Sequence, residues 1–296
     1  MKIYLRAVLM VALLFISSLP SFAATRIEVQ GHRGARGARP ENTLPAFEYA
    51  LQNGIDTLEL DIAVSQDSEL VISHDPALTP DRCLGPSGQA LSKDIEIHSL
   101  SYIEIAKYDC GSVKNPRFPQ QVLVPHTPKP RLEDLFIMIE NSKLAGAKNI
   151  QFNIETKSYP SHPELTPEPK KFAQMIINLG MKHHMISRMI LQSFDDRTLL
   201  AAKKIEPKLR TSLLTSDNHI DYVAVMLAAH ADILSPNHEW ILAGDVEALH
   251  KIHVKVLPWT VNEAKDWDRM ISFGVDGIIS DYPKELSDHL KSKKMR

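Results

Sequence analysis

Between residues 27 and 280, short β-branched or apolar runs alternate with stretches of helical periodicity, and this alternation restricts the fold more than any other feature of the chain. The strand-like runs cover residues 27–30, 57–64, 150–156, 189–192, 210–214, 233–235, 255–260 and 277–280. Helix candidates at 43–53, 132–145, 169–180, 195–205, 221–229, 243–251 and 263–273 separate most of them. Strands joined through helices pair in parallel, because the crossover returns the chain to the same end of the sheet. Eight such strands, in a length close to the roughly 250 residues typical of the fold, predict an α/β protein of one domain, a (β/α)8 TIM barrel.

One run breaks the rhythm. Residues 70–74 follow the second strand after only Ser65 to Glu69, too few for a parallel crossover of about a dozen residues. The connection must be a hairpin, which returns His74 towards the C-terminal mouth of the barrel. Residues 76–131 then form a Pro-, Gly- and Ser-rich stretch without a period. A loop of that length inside a compact domain is functional or disordered. Its place directly after His74 points to a lid or substrate-shaping insertion rather than an inert excursion.

The insertion holds both cysteines, Cys83 and Cys110. Two readings stand, a disulfide closing the segment or two separate buried thiols; the pair is too sparse for a zinc site. An oxidising compartment would favour the disulfide. The N-terminus suggests one: Lys2 and Arg6 precede an apolar run at 7–16, and Ser21-Phe22-Ala23 offers small residues for cleavage. Residues 1–23 read as a signal peptide and 24–296 as the barrel, giving an exported protein, periplasmic or secreted. The apolar run is short for a span of roughly 20 residues, so no stable membrane insertion is expected after cleavage. The chain carries 34 basic and 36 acidic side chains, and leaving out Lys2 and Arg6 moves its net charge from −2 to −4. No basic cluster suggests nucleic acid as a partner, and the tail at 291–296 reads as a solvated terminus.

The second strand carries the first chemical signal. In Thr57-Leu58-Glu59-Leu60-Asp61-Ile62-Ala63-Val64, the period of two puts Glu59 and Asp61 on one face and Leu58, Leu60 and Ile62 on the other. The outer face of a barrel packs under helices and must be apolar, so the carboxylates point inward. Like charges in a partly dry interior require a compensating cation, either a hard divalent metal such as Ca²⁺ or Mg²⁺ or a Lys or Arg partner. The third strand adds Asn153, Glu155 and Lys157 on one face, opposite Phe152 and Ile154. A third inward carboxylate favours the metal, with Lys157 available to an anion beside it. Side chains two apart on a strand run roughly parallel, which makes a Glu155–Lys157 ion pair the weaker reading.

Two histidines stand at matching strand ends, His32 in Gly31-His32-Arg33-Gly34 and His74 in Ser73-His74-Asp75. A lone histidine is more often structural, but two flanking three carboxylates can accept and donate protons near neutrality. Arg33 suits a phosphate through its planar fork. Metal, histidine pair, Arg and Lys together describe phosphoryl chemistry, without the P-loop or dinucleotide fingerprint of a nucleotide enzyme.

Gly31-His32-Arg33-Gly34, Pro40-Glu41-Asn42-Thr43, Ala46-Phe47, Glu59-Leu60-Asp61 and His74-Asp75, in this order and spacing, resemble the glycerophosphodiester phosphodiesterase family. Weaker echoes follow at Asn153-Ile154-Glu155-Thr156-Lys157, Gln192-Ser193-Phe194, Pro258-Trp259-Thr260-Val261-Asn262 and Ser280-Asp281-Tyr282-Pro283. The resemblance implies a barrel that hydrolyses glycerophosphodiesters to glycerol 3-phosphate and an alcohol. It implies His32 as proton acceptor, His74 as donor, Glu59, Asp61 and Glu155 as ligands of one divalent cation, and Arg33 and Lys157 on the phosphate. Trp259 would offer its ring to the glycerol carbons, or else be an ordinary core tryptophan. Residues 40–43 read as mainly structural, with Asn42 or Thr43 capping the first helix.

Two departures stand out. Ser68 occupies a hairpin position where the family often has glycine, and Arg39 adds a cation beside the anion site. The rival readings are a phospholipase D-like or phosphatidylinositol phospholipase C-like enzyme on a related barrel, and an inert phosphodiester-binding protein on the same scaffold. The chain offers no large basic amphipathic segment for a lipid surface. His253-Val254-Lys255 lacks the Asp that a His-x-Lys phospholipase element requires, since Thr260 stands there.

Overall fold

The structure, a computed structural model, describes residues 26–296, and the segment read as a signal peptide lies outside the described residues. In chain order the elements are β1 (Glu28–Gly31), α1 (Leu44–Gln52), β2 (Thr57–Val64), β3 (Leu70–Ile72), β4 (Ala77–Leu78), β5 (Ile95–Glu96), α2 (Tyr102–Ile105), α3 (Leu132–Asn141) and β6 (Gln151–Thr156). They continue with α4 (Pro169–Lys182), β7 (Met189–Ser193), α5 (Asp196–Ile205), β8 (Arg210–Thr215), α6 (Tyr222–Ala229), β9 (Ile233–Pro236), α7 (Ala243–Lys251), β10 (Lys255–Val256), α8 (Ala264–Phe273), β11 (Gly277–Ser280) and α9 (Pro283–Ser292).

Eight strands run parallel in the order β10-β9-β8-β7-β6-β2-β1-β11. The gap between the two end strands is crossed by backbone bonds of 3.0 Å from Asp276 N to Val256 O, Ile279 N to Pro258 O and Val261 N to Ile279 O. The sheet is thus a nearly closed barrel with helices between its strands. The run expected at 255–260 keeps only Lys255–Val256 in the regular ladder, because Pro258 has no N–H to donate.

The outward faces are apolar, as the alternation requires. Leu58, Leu60 and Ile62 of β2 and Phe152 and Ile154 of β6 belong to one buried cluster with Phe47, Phe136 and Phe172 from the helices. The inward faces are mixed: Ile190, Ile233 and Leu257 form a small apolar cluster of their own, and the strands that carry the carboxylates present polar side chains. Asn153 Nδ2 donates to Gln30 Oε1 and Gln192 Oε1, both at 2.8 Å, and forms a layer beneath the barrel mouth.

β3 pairs antiparallel with β2 through Ile62↔Ile72 to Val64↔Leu70, so the short connection is the expected hairpin. The insertion is more structured than its composition suggested. β4 and β5 pair, Ser101 and Glu104 form a capping box on α2, and Cys83 is bonded to Cys110. Leu78, Ile97 and Ile105 surround the disulfide in a small apolar core of their own, shared with Ala63 and Val71 of the hairpin.

The C-terminal tail is exposed over residues 291–294, as a solvated terminus should be, and departs from that expectation only at its end. α9 starts on Pro283 at its first turn and buries Leu286 and Leu290. The last residue, Arg296, is folded onto Asp56 at 3.2 Å and is only partly exposed.

Candidate active site

The site is assembled at the C-terminal ends of β1, β2, β6 and β11. Register sets its centre: Asp61 of β2 lies beside Glu155 of β6, and Glu59 beside Asn153. Glu59, Asp61 and Glu155 are all buried, and one oxygen of each lies within 4.8 Å of the others, the spacing a single cation could bridge. Burial, with the charges of Asp61 and Glu155, pushes the Glu59 carboxyl well above its ordinary value. Burial and Asp61 likewise raise Glu155 to about 7, against the pull of Lys157. Burial works the same way on Asp61, but Arg33, Lys157 and His74 outweigh it and hold that carboxyl ionised.

Among the buried polar atoms here without a hydrogen-bond partner are Asp61 Oδ1 and Arg33 Nε, along with Glu41 Oε2, Arg82 Nε and Asn153 Oδ1. An unpaired carboxylate oxygen inside a three-carboxylate cluster fits a hard divalent cation, and an unpaired guanidinium N–H beside it fits an anionic oxygen. The donor set and the orphaned oxygen therefore fit the metal that the sequence implied.

Arg33 is held in strain. Its φ is 51°, in the left-handed region, and its backbone N–H donates to Glu59 Oε2 at 2.8 Å. Gly34 follows at φ 86°, where a Cβ would lie 2.9 Å from that of Ala46. The Arg33 guanidinium bonds Glu41 at 2.7 Å and lies 3.5 Å from Asp61. Asn42, at φ 55°, donates its amide to Asp61 Oδ2 at 2.8 Å. The block at 40–43 is thus only partly structural: Thr43 caps α1 by accepting from Ala46 N, while Glu41 and Asn42 reach the site.

Lys157 corrects the expectation drawn from strand geometry. β6 ends at Thr156, so the Lys157 side chain is free to fold back, and its Nζ bonds Glu155 at 2.7 Å and lies 3.7 Å from Asp61.

The two histidines are oriented alike. His32 Nδ1 is 2.6 Å from Asp281 Oδ1, and its Nε2 lies 3.9 Å from Glu59. Burial and Arg36 lower His32 to about 4, against the attraction of Asp281. His74 Nδ1 is 2.8 Å from Asp75, whose other oxygen is bonded by Arg82. Burial opposes ionisation of Asp75, but His74 and Arg82 bring it down to about 2.

Trp259 stands half-buried beyond β10, with its Nε1 donating to Ser235 O at 2.8 Å and its ring edge-on to Phe194 at 5.7 Å. Lys157 Nζ lies 6.0 Å from the Phe194 ring, so the two aromatics flank the charged centre. Arg39 stacks 4.7 Å over Tyr49, a contact on α1 away from the carboxylates.

A family model described as the glycerophosphoryl diester phosphodiesterase family matches residues 32–285. The chain belongs to that family. It is 33% identical over 262 residues to the glycerophosphodiester phosphodiesterase of Caldanaerobacter subterraneus subsp. tengcongensis, a match covering 87% of this chain and 95% of the relative. A crystal structure of a provisionally named glycerophosphoryl diester phosphodiesterase from Silicibacter pomeroyi is similar with a TM-score of 0.84 and 27% identity, covering 91% of this chain and 95% of that one. The phosphodiesterase of Oleispira antarctica, solved in complex with the product sn-glycerol-3-phosphate, shares the fold with a TM-score of 0.73 at 21% identity, over 90% of this chain and 97% of that one. The chain is thus an enzyme, a glycerophosphodiester phosphodiesterase, and neither the related-barrel phospholipase reading nor the inert binder is favoured.

Sequence reasoning singled out the three carboxylates, both histidines, Arg33 and Lys157, and the structure brings these side chains together at one end of the barrel. It missed Glu41, Asn42, Arg36 and the placement of Asp281. For Asp281 a signal existed. In a closed eight-stranded barrel the last strand neighbours the first, so the residue after β11 stands beside the residue after β1.

Proposed function

We propose that the enzyme hydrolyses glycerophosphodiesters in a metal-dependent reaction, with His32 accepting a proton and His74 donating one. The observation that carries this reading is the buried cluster of Glu59, Asp61 and Glu155, with its orphaned Asp61 oxygen, flanked by the two histidines. Those three carboxylates would hold one divalent cation, Ca²⁺ or Mg²⁺. When bound, such a cation neutralises charge on the phosphoryl oxygens.

The chain's own groups account for the rest. The Arg33 guanidinium and the Lys157 ammonium bind phosphoryl oxygens, and the exposed faces of Trp259 and Phe194 pack on carbon. His32 takes the proton of the attacking oxygen as that oxygen bonds to phosphorus. The bond from phosphorus to the leaving alkoxide breaks, and His74 protonates the departing alcohol. With one water consumed, the products are glycerol 3-phosphate and the alcohol.

The disulfide between Cys83 and Cys110 supports an oxidising compartment, and with residues 1–23 read as a signal it supports export to the periplasm or beyond. The test is an assay of purified residues 24–296 on a panel of glycerophosphodiesters, with chelator and with Ca²⁺ or Mg²⁺ restored. Chelation is expected to abolish turnover, and His32→Ala and His74→Ala each to lower kcat by about 10²–10⁴-fold. Full activity in chelator would end the metal reading, and full activity in either variant would end the role given to that histidine.

A further inference from the structure

Asp281 is buried and accepts four hydrogen bonds. Oδ1 receives His32 Nδ1 at 2.6 Å and Arg36 Nε at 2.9 Å. Oδ2 receives a second Arg36 N–H at 2.9 Å and Asn262 Nδ2 at 2.8 Å. Arg36 can only donate, and Asn262 turns its amide nitrogen to Asp281 because its own oxygen accepts from Asp281 N at 3.0 Å. With every other contact a donor, the carboxylate has no room for a proton of its own. His32 Nδ1 must therefore carry the hydrogen, and in the neutral ring the lone pair lies on Nε2, the nitrogen that faces Glu59.

We infer that Asp281, braced by Arg36, is a positioning residue that fixes the tautomer and ring plane of His32 so that Nε2 is the proton-accepting atom. The inference rests on the reading of His32 as proton acceptor. Position and rigidity both come from the fold. Parallel pairing of Gly31 with Ser280 puts the next residues, His32 and Asp281, side by side, and His32 N donates to Ser280 O at 2.9 Å. The brace extends into the insertion: Phe118 lies under the Arg36 guanidinium at 5.0 Å, and Gln121 Nε2 bonds the backbone oxygens of Arg36 and Arg39 at 2.7 and 2.9 Å. Part of the insertion therefore serves as a buttress behind His32, a role the lid expected from sequence does not describe.

Asp281→Asn keeps the size and replaces the ionised acceptor by an amide that can present N–H to His32 Nδ1, forcing the hydrogen to Nε2. In a hydrolase triad the same exchange costs about 10⁴ in kcat through the wrong tautomer. Here kcat is expected to fall at least about 100-fold with KM within about threefold, while calorimetry shows a folded protein. A purely structural role would lower the melting temperature and leave the kcat of the folded fraction unchanged. The tautomer is read directly by ¹⁵N NMR of histidine-labelled wild type, with the His32 signals assigned by their loss in His32→Ala. Protonated Nδ1 with bare Nε2 supports the inference, and the reverse overturns it even if Asp281→Asn fails to fold. If Asp281→Asn keeps wild-type kcat while His32→Ala is inactive, the inference falls alone. If His32→Ala is itself fully active, the proton-acceptor reading falls and takes the inference with it.

Discussion

Asn42 shows how much of this site depends on a single backbone angle. Its φ of 55° turns the side chain from the helix it precedes onto Asp61. Glycine keeps that angle and loses only the amide, whereas alanine loses the amide and pays about 1–2 kcal/mol of left-handed strain. Asn42→Gly is expected to weaken Ca²⁺ binding about 10- to 100-fold, the usual effect of removing a partner that orients a metal ligand, with little loss of thermal stability. Asn42→Ala should show the same binding loss in titration calorimetry plus a lower melting temperature. Unchanged Ca²⁺ affinity in Asn42→Gly would count against the role given to its amide. The carboxylates were legible in the sequence because a strand's period of two assigns Glu59, Asp61 and Glu155 to one face. Glu41 and Asn42 sit in an irregular turn, where no period says which way a side chain points. The Glu155–Lys157 pair was rated the weaker reading for the related reason that strand geometry stops at Thr156, one residue before Lys157.

At the scale of elements, the hairpin and the insertion do work that loop length only outlined. The turn after β2 holds Ser68 at φ 67°, where glycine is unstrained. Ser68→Gly should raise stability by about 0.5–1 kcal/mol, or about 1–4 °C in melting temperature for a domain of this size. A fall in melting temperature would show that the Ser68 side chain has a compensating contact. The insertion grips the site through Arg82, next to Cys83, which bonds Asp75 and lies 3.6 Å from Glu41. Removing the disulfide that closes this 27-residue separation should cost about 3–4 kcal/mol by chain entropy. Loosening Arg82 should also lower kcat in the folded Cys83→Ser/Cys110→Ser variant. Wild-type kcat in the folded double variant would confine the disulfide to stability. That the insertion has its own small core could not be seen in its sequence, since Leu78, Ile97 and Ile105 follow neither helical nor strand spacing and are brought together by the disulfide and the hairpin.

For the whole molecule, closing the barrel around three inward carboxylates ties metal binding to proton release. Burial and neighbouring charge raise Glu155 to about 7 and also raise Glu59, so the folded metal-free protein keeps protons that the unfolded chain has lost above about pH 4.5. A group raised on folding stabilises below its unfolded value, and that contribution is lost as pH climbs through the folded value. In chelator, the melting temperature should therefore decline between pH 4.5 and about 7 relative to Glu155→Gln, by an amount on the order of 3 kcal/mol in stability. A cation binds only the deprotonated cluster, so Ca²⁺ affinity should rise through the Glu155 value of about 7, by up to about tenfold per pH unit for each proton released. Calorimetry at pH 5 and pH 8, with chelator and with saturating Ca²⁺, separates these effects. The increment from Ca²⁺ should be larger at pH 8, above the Glu155 value of about 7, where the ion relieves repulsion within the cluster and no longer has to displace the proton of Glu155. An increment that is equal at both values, or unchanged by Glu155→Gln, would mean that the cation binds elsewhere and that the cluster is balanced by Arg33 and Lys157 alone.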